Sequence, residues 1–150
     1  MKKSLLILAL MSAIGSASAL EVGVNGGYTY GGPDRATYGV SVGEKFGKVG
    51  VEATIDRATK TNDDQNRFAV VGSYDVAKVG QATVAVKGGI AYLDNASGTS
   101  DGFATLVGAG VSYPLTKQIA ATVDYRYQVG QSRVDQFNGN QVAVGLKYSF

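Results

Sequence analysis

The sequence predicts an all-β protein, an eight-stranded antiparallel up-and-down transmembrane β-barrel preceded by a cleaved signal peptide. Three observations predict this fold. Apolar and polar residues alternate along most of the chain after position 19, which is the period of a β-strand. The alternating segments number eight, and each is about as long as the 9 to 11 residues that a tilted strand needs to cross a bilayer. Aromatic residues gather at the ends of these segments, and the middles are mostly aliphatic or small.

The N-terminal residues have the composition of a secretory signal peptide. Lys2 and Lys3 form a positive start, residues 5–11 are apolar, and Ala17-Ser18-Ala19 has the small-x-small pattern of a cleavage site. An N-terminal membrane anchor is the alternative, but the apolar stretch is shorter than the ~20 residues of a spanning helix. We therefore predict a signal peptide over residues 1–19 and a barrel over residues 20–150.

Composition excludes several classes of function. The chain has 14 basic and 12 acidic side chains, so removal of the two leader lysines leaves a neutral barrel. Without a basic cluster, nucleic-acid binding is not expected, because it requires several phosphates to be neutralised together. Cysteine is absent, which excludes disulfides, thiolate metal sites and a cysteine nucleophile.

The first four alternating segments each present an apolar, uncharged face, and we assign that face outward. The outward residues of the first two segments are Leu20, Val22, Val24, Gly26, Tyr28 and Tyr30, then Ala36, Tyr38, Val40 and Val42. Those of the third and fourth are Val49, Val51, Ala53 and Ile55, then Phe68, Val70, Gly72, Tyr74 and Val76.

The last four segments repeat the pattern through to the C-terminal residue. The outward residues of the fifth and sixth are Val84, Val86, Gly88, Ile90 and Tyr92, then Phe103, Thr105, Val107, Ala109, Val111 and Tyr113. Those of the seventh and eighth are Ile119, Ala121, Val123, Tyr125, Tyr127 and Val129, then Val142, Val144, Leu146, Tyr148 and Phe150.

The connections alternate between short and mostly longer segments. Short turns are expected at Glu44 to Lys48, Ala77 to Gln81 and Pro114 to Gln118, and longer loops at Lys60 to Asn66, Asp94 to Gly102 and Gly130 to Asn140. The connection at Gly31 to Asp34 is an unusually tight member of the second group. Outer-membrane barrels alternate in this way between periplasmic turns and external loops.

The face opposite the apolar one carries balanced charges, five of each sign. These residues form a predicted lumen charge network: Glu21, Arg35, Glu52, Asp56, Arg67, Asp75, Lys87, Asp124, Arg126 and Lys147. An eight-stranded barrel is only wide enough inside for side chains to fill it, so we expect the charges to pair and plug the lumen. A narrow ion pathway is the functional alternative.

Aromatic residues are sorted by depth into two predicted girdles. One end has Tyr28, Tyr30, Tyr38, Phe68, Tyr92, Phe103, Tyr125 and Tyr127, and the other has Tyr74 and Tyr113, followed by the C-terminal Tyr148 and Phe150. A bilayer favours this arrangement, because tyrosine keeps its ring in the headgroup zone and its hydroxyl in water. A secreted β-sandwich is the alternative, but its core would hold large rings centrally.

The C-terminal segment resembles the assembly signal of bacterial outer-membrane barrels through Gly145, Tyr148 and Phe150, and it departs from that pattern at Ala143. Over residues 20–150 the sequence resembles the small eight-stranded outer-membrane β-barrel family, OmpX-like or similar to the membrane domain of OmpA-type porins. Tyr113-Pro114-Leu115-Thr116 also recurs in that family. The resemblance implies location in the outer membrane of a Gram-negative cell envelope, insertion by the barrel-assembly machinery, and contact with outer-membrane lipid and lipopolysaccharide. It does not imply an activity.

Site chemistry points away from catalysis. Histidine is absent, and outer-membrane enzymes of this general type use a histidine as general base. Asp63-Asp64, or Asp56 with Glu52, could replace it, but adjacent acids in a polar loop are usually solvated. We nominate no catalytic, cofactor or metal site.

The remaining candidates for function are structural or surface-interaction roles, a narrow porin-like channel for ions or small solutes, and loop-mediated adhesion or resistance. Surface binding would use residues 61–66, 94–102 and 131–140, where Phe137 is either a contact residue or part of the rim. The sequence does not identify an external ligand.

Overall fold

The computed structural model describes residues 19–31, 34–59, 64–95, 101–131 and 138–150. All of the predicted signal peptide except Ala19 lies outside these ranges, so its cleavage stays a prediction. Within them, no helix is long and apolar enough to cross a membrane.

Eight antiparallel strands form one closed barrel, as the alternation predicts. They are β1 (Ala19–Tyr30), β2 (Arg35–Phe46), β3 (Val49–Thr59), β4 (Gln65–Val79), β5 (Ala82–Asn95), β6 (Gly102–Pro114), β7 (Ile119–Gly130) and β8 (Gly139–Ser149). Each strand pairs with its neighbours in sequence, and β8 pairs with β1 to close the barrel. The Phe150 amide also donates to the Leu20 carbonyl oxygen at 3.0 Å, which joins the C-terminal residue to the first strand.

The strands are strongly staggered around the barrel. The register pairs can be followed around the barrel, from Gly139 on β8 to Gln128 on β7 and then from strand to strand to Glu21 on β1. Glu21 pairs with Ser149 on β8, which is ten residues from the starting point. In a closed barrel such stagger tilts the strands and leaves an eight-stranded interior that side chains can fill. The stagger therefore decides which inner side chains meet across the lumen.

Side-chain exposure follows the predicted alternation. On β6, Val107 is 49% exposed and the adjacent Leu106 is 2% exposed. The aliphatic residues assigned outward are exposed on every strand, for example Val24, Val40, Ile90 and Val144. A barrel whose outer face is this apolar along its full height can bury that face only in lipid.

Two of the three short turns are tighter than predicted. β2 continues to Phe46 and β4 continues to Val79, so these hairpins turn over Gly47-Lys48 and Gly80-Gln81. Gly47 and Gly80 each have a φ of 62°, the left-handed region that glycine occupies without steric cost. Glu44, predicted to be in the first turn, is therefore a strand residue.

The third turn is stabilised by a side chain instead of a glycine. β6 ends at Pro114, and the Thr116 hydroxyl oxygen accepts hydrogen bonds from the amides of Gln118 at 3.2 Å and Ile119 at 3.0 Å. These three turns, the start of β1 and the end of β8 all lie at one end of the barrel, which we call the turn end. We call the opposite end the loop end.

Neighbouring glycines on β5 give a matched test of how closely the inner face is packed. A methyl group at Gly89 would press on the Val70 carbonyl oxygen and lie 2.9 Å from the Val71 Cα atom, whereas at Gly88 the nearest atom would be 3.9 Å away. We expect Gly89→Ala to lower the free energy of unfolding by about 1–3 kcal/mol. We expect Gly88→Ala to change it by less than about 0.5 kcal/mol. Urea unfolding in lipid vesicles measures both, and equal effects would contradict the face assignment of β5.

Candidate functional site: the barrel lumen

The ten predicted lumen charges lie on the inner face, and the structure brings nine of them into ion pairs. Eight of these nine residues pair with other members of the predicted network. The ninth, Asp75, pairs at 2.7 Å with Lys45, which was not predicted to belong to the network. Arg35, which also has an interaction partner, is buried and lines a cavity near the loop end.

A chain of alternating acids and bases extends along the lumen from the turn end towards the loop end, in the order Glu21, Lys147, Glu52, Arg126, Asp56 and Arg67. Lys147 contacts both Glu21, at 3.7 Å, and Glu52. Arg126 lies 3.7 Å from Glu52 and 4.0 Å from Asp56. Each internal member therefore has opposite charge on both sides, which offsets part of the cost of removing it from water.

A side branch joins this chain through Asp124. Its carboxylate lies 2.5 Å from the Lys87 ammonium and 3.8 Å from the Arg126 guanidinium. All three side chains are nearly buried. The branch connects β5 to β7, strands that do not pair directly.

Arg67 connects most of the barrel wall across the lumen. Its guanidinium donates to Asp56 on β3 at 2.6 and 3.1 Å, to Gln141 on β8 at 2.7 Å and to Gln128 on β7 at 3.4 Å. The Gln141 amide in turn donates to the Thr37 hydroxyl on β2 at 3.0 Å. We call these five residues the cross-lumen layer. They join five of the eight strands at one level of the lumen.

One wall of the lumen is apolar, which the predicted salt-bridged interior did not include. Ala69, Val71, Ala91 and Leu106 form one buried cluster, and Leu93 and Ala104 form a second. These residues lie on β4, β5 and β6, and the first two of these strands also carry Arg67, Asp75 and Lys87 on the inner face. The interior is therefore filled by two kinds of packing.

Glycines lie directly across from three of the lumen carboxylates. The register pairs Gly39 with Asp56, Gly43 with Glu52 and Gly110 with Asp124. A methyl group at Gly39 or Gly110 would collide with the facing carboxylate. These glycines make room for the acids. The sequence alone does not reveal this role, because each glycine and its acid lie on different strands and are brought together only by the register.

Among the described residues, two small cavities lie in the lumen, and no residue lines both. The larger, about 80 Å³, opens near the turn end and is lined by residues including Glu21, Glu52, Lys87 and Lys147. The smaller, about 30 Å³, lies near the loop end and is lined by Arg35, by Thr37, Asp56, Arg67 and Gln128 of the cross-lumen layer, and by neighbouring residues. Volumes of this size accommodate a few water molecules.

Glu44 also lines the larger cavity and is 6% exposed, although its register partners lie on the outer face. Its side chain therefore belongs to the lumen at the turn end. Sequence alternation alone could not have found this inward placement.

The outer face carries one arginine that the sequence analysis missed. β3 extends beyond Ile55 to Thr59, and Arg57 pairs in register with the outward Tyr38 near the loop end. Its guanidinium lies 2.5 Å from the Asp64 carboxylate, and both side chains are exposed. The residues predicted from the sequence to point outward are all uncharged. The outer face nevertheless carries a charge, because Arg57 also lies on it.

Most of the predicted girdle residues lie towards the ends of their strands, but Tyr125 is the seventh of the twelve residues of β7. Aromatic side chains meet in two places. Tyr92 and Phe103 meet edge-to-face with ring centroids 5.4 Å apart, and Tyr148 and Phe150 meet at 4.9 Å. Phe46, half exposed at the turn end, adds an aromatic that was predicted to be in a turn. Their depth in a bilayer, and the use of Gly145, Tyr148 and Phe150 as an assembly signal, stay predictions.

The described part of the chain contains no group of three or more acidic side chains placed to hold a metal ion. Asp63 lies outside it, so the Asp63-Asp64 pair considered from the sequence cannot be placed.

A closed eight-stranded antiparallel barrel with a largely apolar outer face and paired charges in its interior defines a small transmembrane β-barrel protein. The model of the outer membrane protein beta-barrel domain family matches residues 4–150, so the chain belongs to that family. The protein is therefore located in the outer membrane. No curated protein matches its sequence.

Solved structures share the fold at low sequence identity. The N-terminal β-barrel domain of Pseudomonas aeruginosa OprF aligns with a TM-score of 0.72 and 16% identity, covering 89% of this chain and 100% of that domain. Neisserial surface protein A aligns with a TM-score of 0.67 and 13% identity, covering 90% and 98%. The outer membrane enzyme PagL aligns with a TM-score of 0.55 and 17% identity, covering 87% and 98%. Because one of these neighbours is an enzyme, the fold alone does not decide whether a barrel is catalytic.

Proposed function

We propose that the protein is a non-catalytic outer-membrane barrel with a plugged lumen, serving a structural or surface-interaction role. The observation that carries this proposal is the cross-lumen layer, in which Arg67 bonds to Asp56, Gln128 and Gln141 on three other strands. A pore at this level would require these bonds to break.

The energetics of the layer favour a closed lumen. Asp56 and Arg67 are 2% and 7% exposed, so separating them would leave two charges that water does not solvate. Such separation costs several kcal/mol. The buried apolar clusters on β4, β5 and β6 supply no polar side-chain groups in exchange for the hydration shell of an ion.

The proposed partners are those that the location provides. Outer-membrane lipid would cover the apolar outer face, lipopolysaccharide would meet the loop end, and the barrel-assembly machinery would insert the chain. The absence of histidine supports the non-catalytic part of the proposal.

Conductance across a planar bilayer tests the plug. We expect the wild-type barrel to show no stepwise openings and Arg67→Ser to show small ones, because this change removes the hub of the layer. Arg57→Ser is the matched control, since it removes an arginine from the outer face, and it should be as silent as wild type. Regular openings of the wild-type barrel would contradict the proposal.

A narrow channel is the second candidate, favoured by the two charge-lined cavities on either side of the layer. It would require a rearrangement of the Arg67 contacts, and wild-type openings in the experiment above would support it. The adhesion or resistance alternative depends largely on residues 61–63, 96–100 and 132–137, including Phe137, which lie outside the described ranges.

A further inference from the structure

One exposed lysine lies in or just before each of the three hairpin turns at the turn end. Lys48 lies in the turn between β2 and β3, Lys78 lies just before the turn between β4 and β5, and Lys117 lies in the turn between β6 and β7. Successive turns are two strands apart, roughly 10 Å along the rim at ordinary strand spacing. The three lysines are therefore distributed around the rim of the barrel.

Among the lysines that the structure describes, these three differ from Lys45, Lys87 and Lys147 in having no acidic partner within the described residues. Lys45, Lys87 and Lys147 each pair with an aspartate or glutamate in the lumen. No carboxylate among residues 19–31, 34–59, 64–95, 101–131 and 138–150 lies within ion-pair distance of Lys48, Lys78 or Lys117. Their charges are therefore available to a partner outside the barrel.

Their depth matches the region of lipid headgroups. Phe46 and Tyr113, which are exposed on the outer face, lie close to turns along the chain. Phe150, which is also exposed, follows the end of β8, where that strand pairs with the start of β7 beside the third turn. Aromatic side chains mark the boundary between hydrocarbon and headgroups. Lys48 lies two residues beyond Phe46, Lys117 four beyond Tyr113, and Lys78 four beyond the exposed Tyr74, so all three lie past that boundary, towards the lipid phosphates.

We propose that Lys48, Lys78 and Lys117 form a ring that binds the phosphates of anionic glycerophospholipids, of the phosphatidylglycerol type, in the leaflet at the turn end. The spacing favours lipid over a compact soluble ligand, because a leaflet surrounds the barrel and offers each lysine its own headgroup. The proposal does not depend on whether the lumen conducts.

The test measures the folding equilibrium by urea unfolding in two kinds of vesicle, pure phosphatidylcholine and an equimolar mixture with phosphatidylglycerol. A basic residue near an anionic surface gains about 1 kcal/mol, or roughly a fivefold change in the equilibrium constant. We expect phosphatidylglycerol to raise the folding constant of the wild-type barrel on the order of 100-fold at low salt. The rise should shrink strongly at 1 M salt, where the Debye length is about 3 Å.

The triple variant Lys48→Gln, Lys78→Gln, Lys117→Gln should lose this rise while folding normally in pure phosphatidylcholine. The triple Lys→Arg variant should keep it, because charge is retained, and Arg57→Gln should keep it, because the Asp64 carboxylate already neutralises that cation. Added inorganic phosphate at millimolar concentration should leave the rise unchanged if a leaflet of headgroups is required. A triple Gln variant that responds to phosphatidylglycerol as wild type does would overturn the proposal.

Discussion

Asp56→Ala is expected to lower the free energy of unfolding in lipid vesicles by about 3–5 kcal/mol, the cost of leaving a buried charge without its partner. Asp56 receives two hydrogen bonds from Arg67, at 2.6 and 3.1 Å, and lies 4.0 Å from Arg126. Its removal leaves a buried guanidinium with neutral amide oxygens as its acceptors. The double variant Asp56→Ala/Arg67→Ala should cost less than the sum of the single changes, because no uncompensated charge then remains.

The exposed pair of Arg57 and Asp64 is the control for this prediction. Its charges are 2.5 Å apart, as close as those of the lumen pair, but their side chains are 49% and 37% exposed. Asp64→Ala should therefore cost no more than about 1 kcal/mol. If the two aspartate variants are equally stable, water reaches the layer and the lumen is not plugged.

Val107→Arg is expected to destabilise the barrel by about 2–4 kcal/mol, the cost of an arginine on the lipid face near the bilayer midplane. Val107 is 49% exposed and lies near the middle of β6, and Val144 on β8 is an equivalent site at 59%. Urea unfolding in vesicles measures both variants.

Val79→Arg separates the effect of depth from the effect of the substitution. Val79 lies at the end of β4 beside the Gly80 turn and is 70% exposed. Near the interface the cost falls to about 0–1 kcal/mol. If arginine at positions 107 and 144 is tolerated as well as at position 79, the assigned lipid face is wrong.

The strand faces could be predicted because a period of two assigns each side chain without knowledge of its neighbours. Val107 is outward and Asp124 inward on any barrel that keeps the alternation. Strand ends could not be predicted as well. The two-residue turns place Phe46 and Val79 in strands, and β3 continues far enough to place Arg57 on the outer face.

The sequence predicts that the lumen charges pair with one another, but it does not predict which acid pairs with which base. Whether Arg126 meets Glu52, Asp56 or Asp124 depends on the ten-residue stagger, which comes from the pairing of all eight strands. The apolar wall was within reach of the sequence, since Leu93 continues the inner face of β5 and Leu106 alternates with outward residues. The alternation also places Ala69, Val71 and Ala91 inward, but their clustering with Leu106 depends on the register of β4, β5 and β6.

The most direct test of the closed transmembrane barrel is electrophoresis of residues 20–150, refolded in detergent micelles, with and without boiling, together with circular dichroism. A closed barrel with a lipid-facing outer surface predicts a β-rich spectrum and an unheated band that migrates differently from the boiled one. A chain that stays soluble without detergent and shows no difference between the two bands would contradict it.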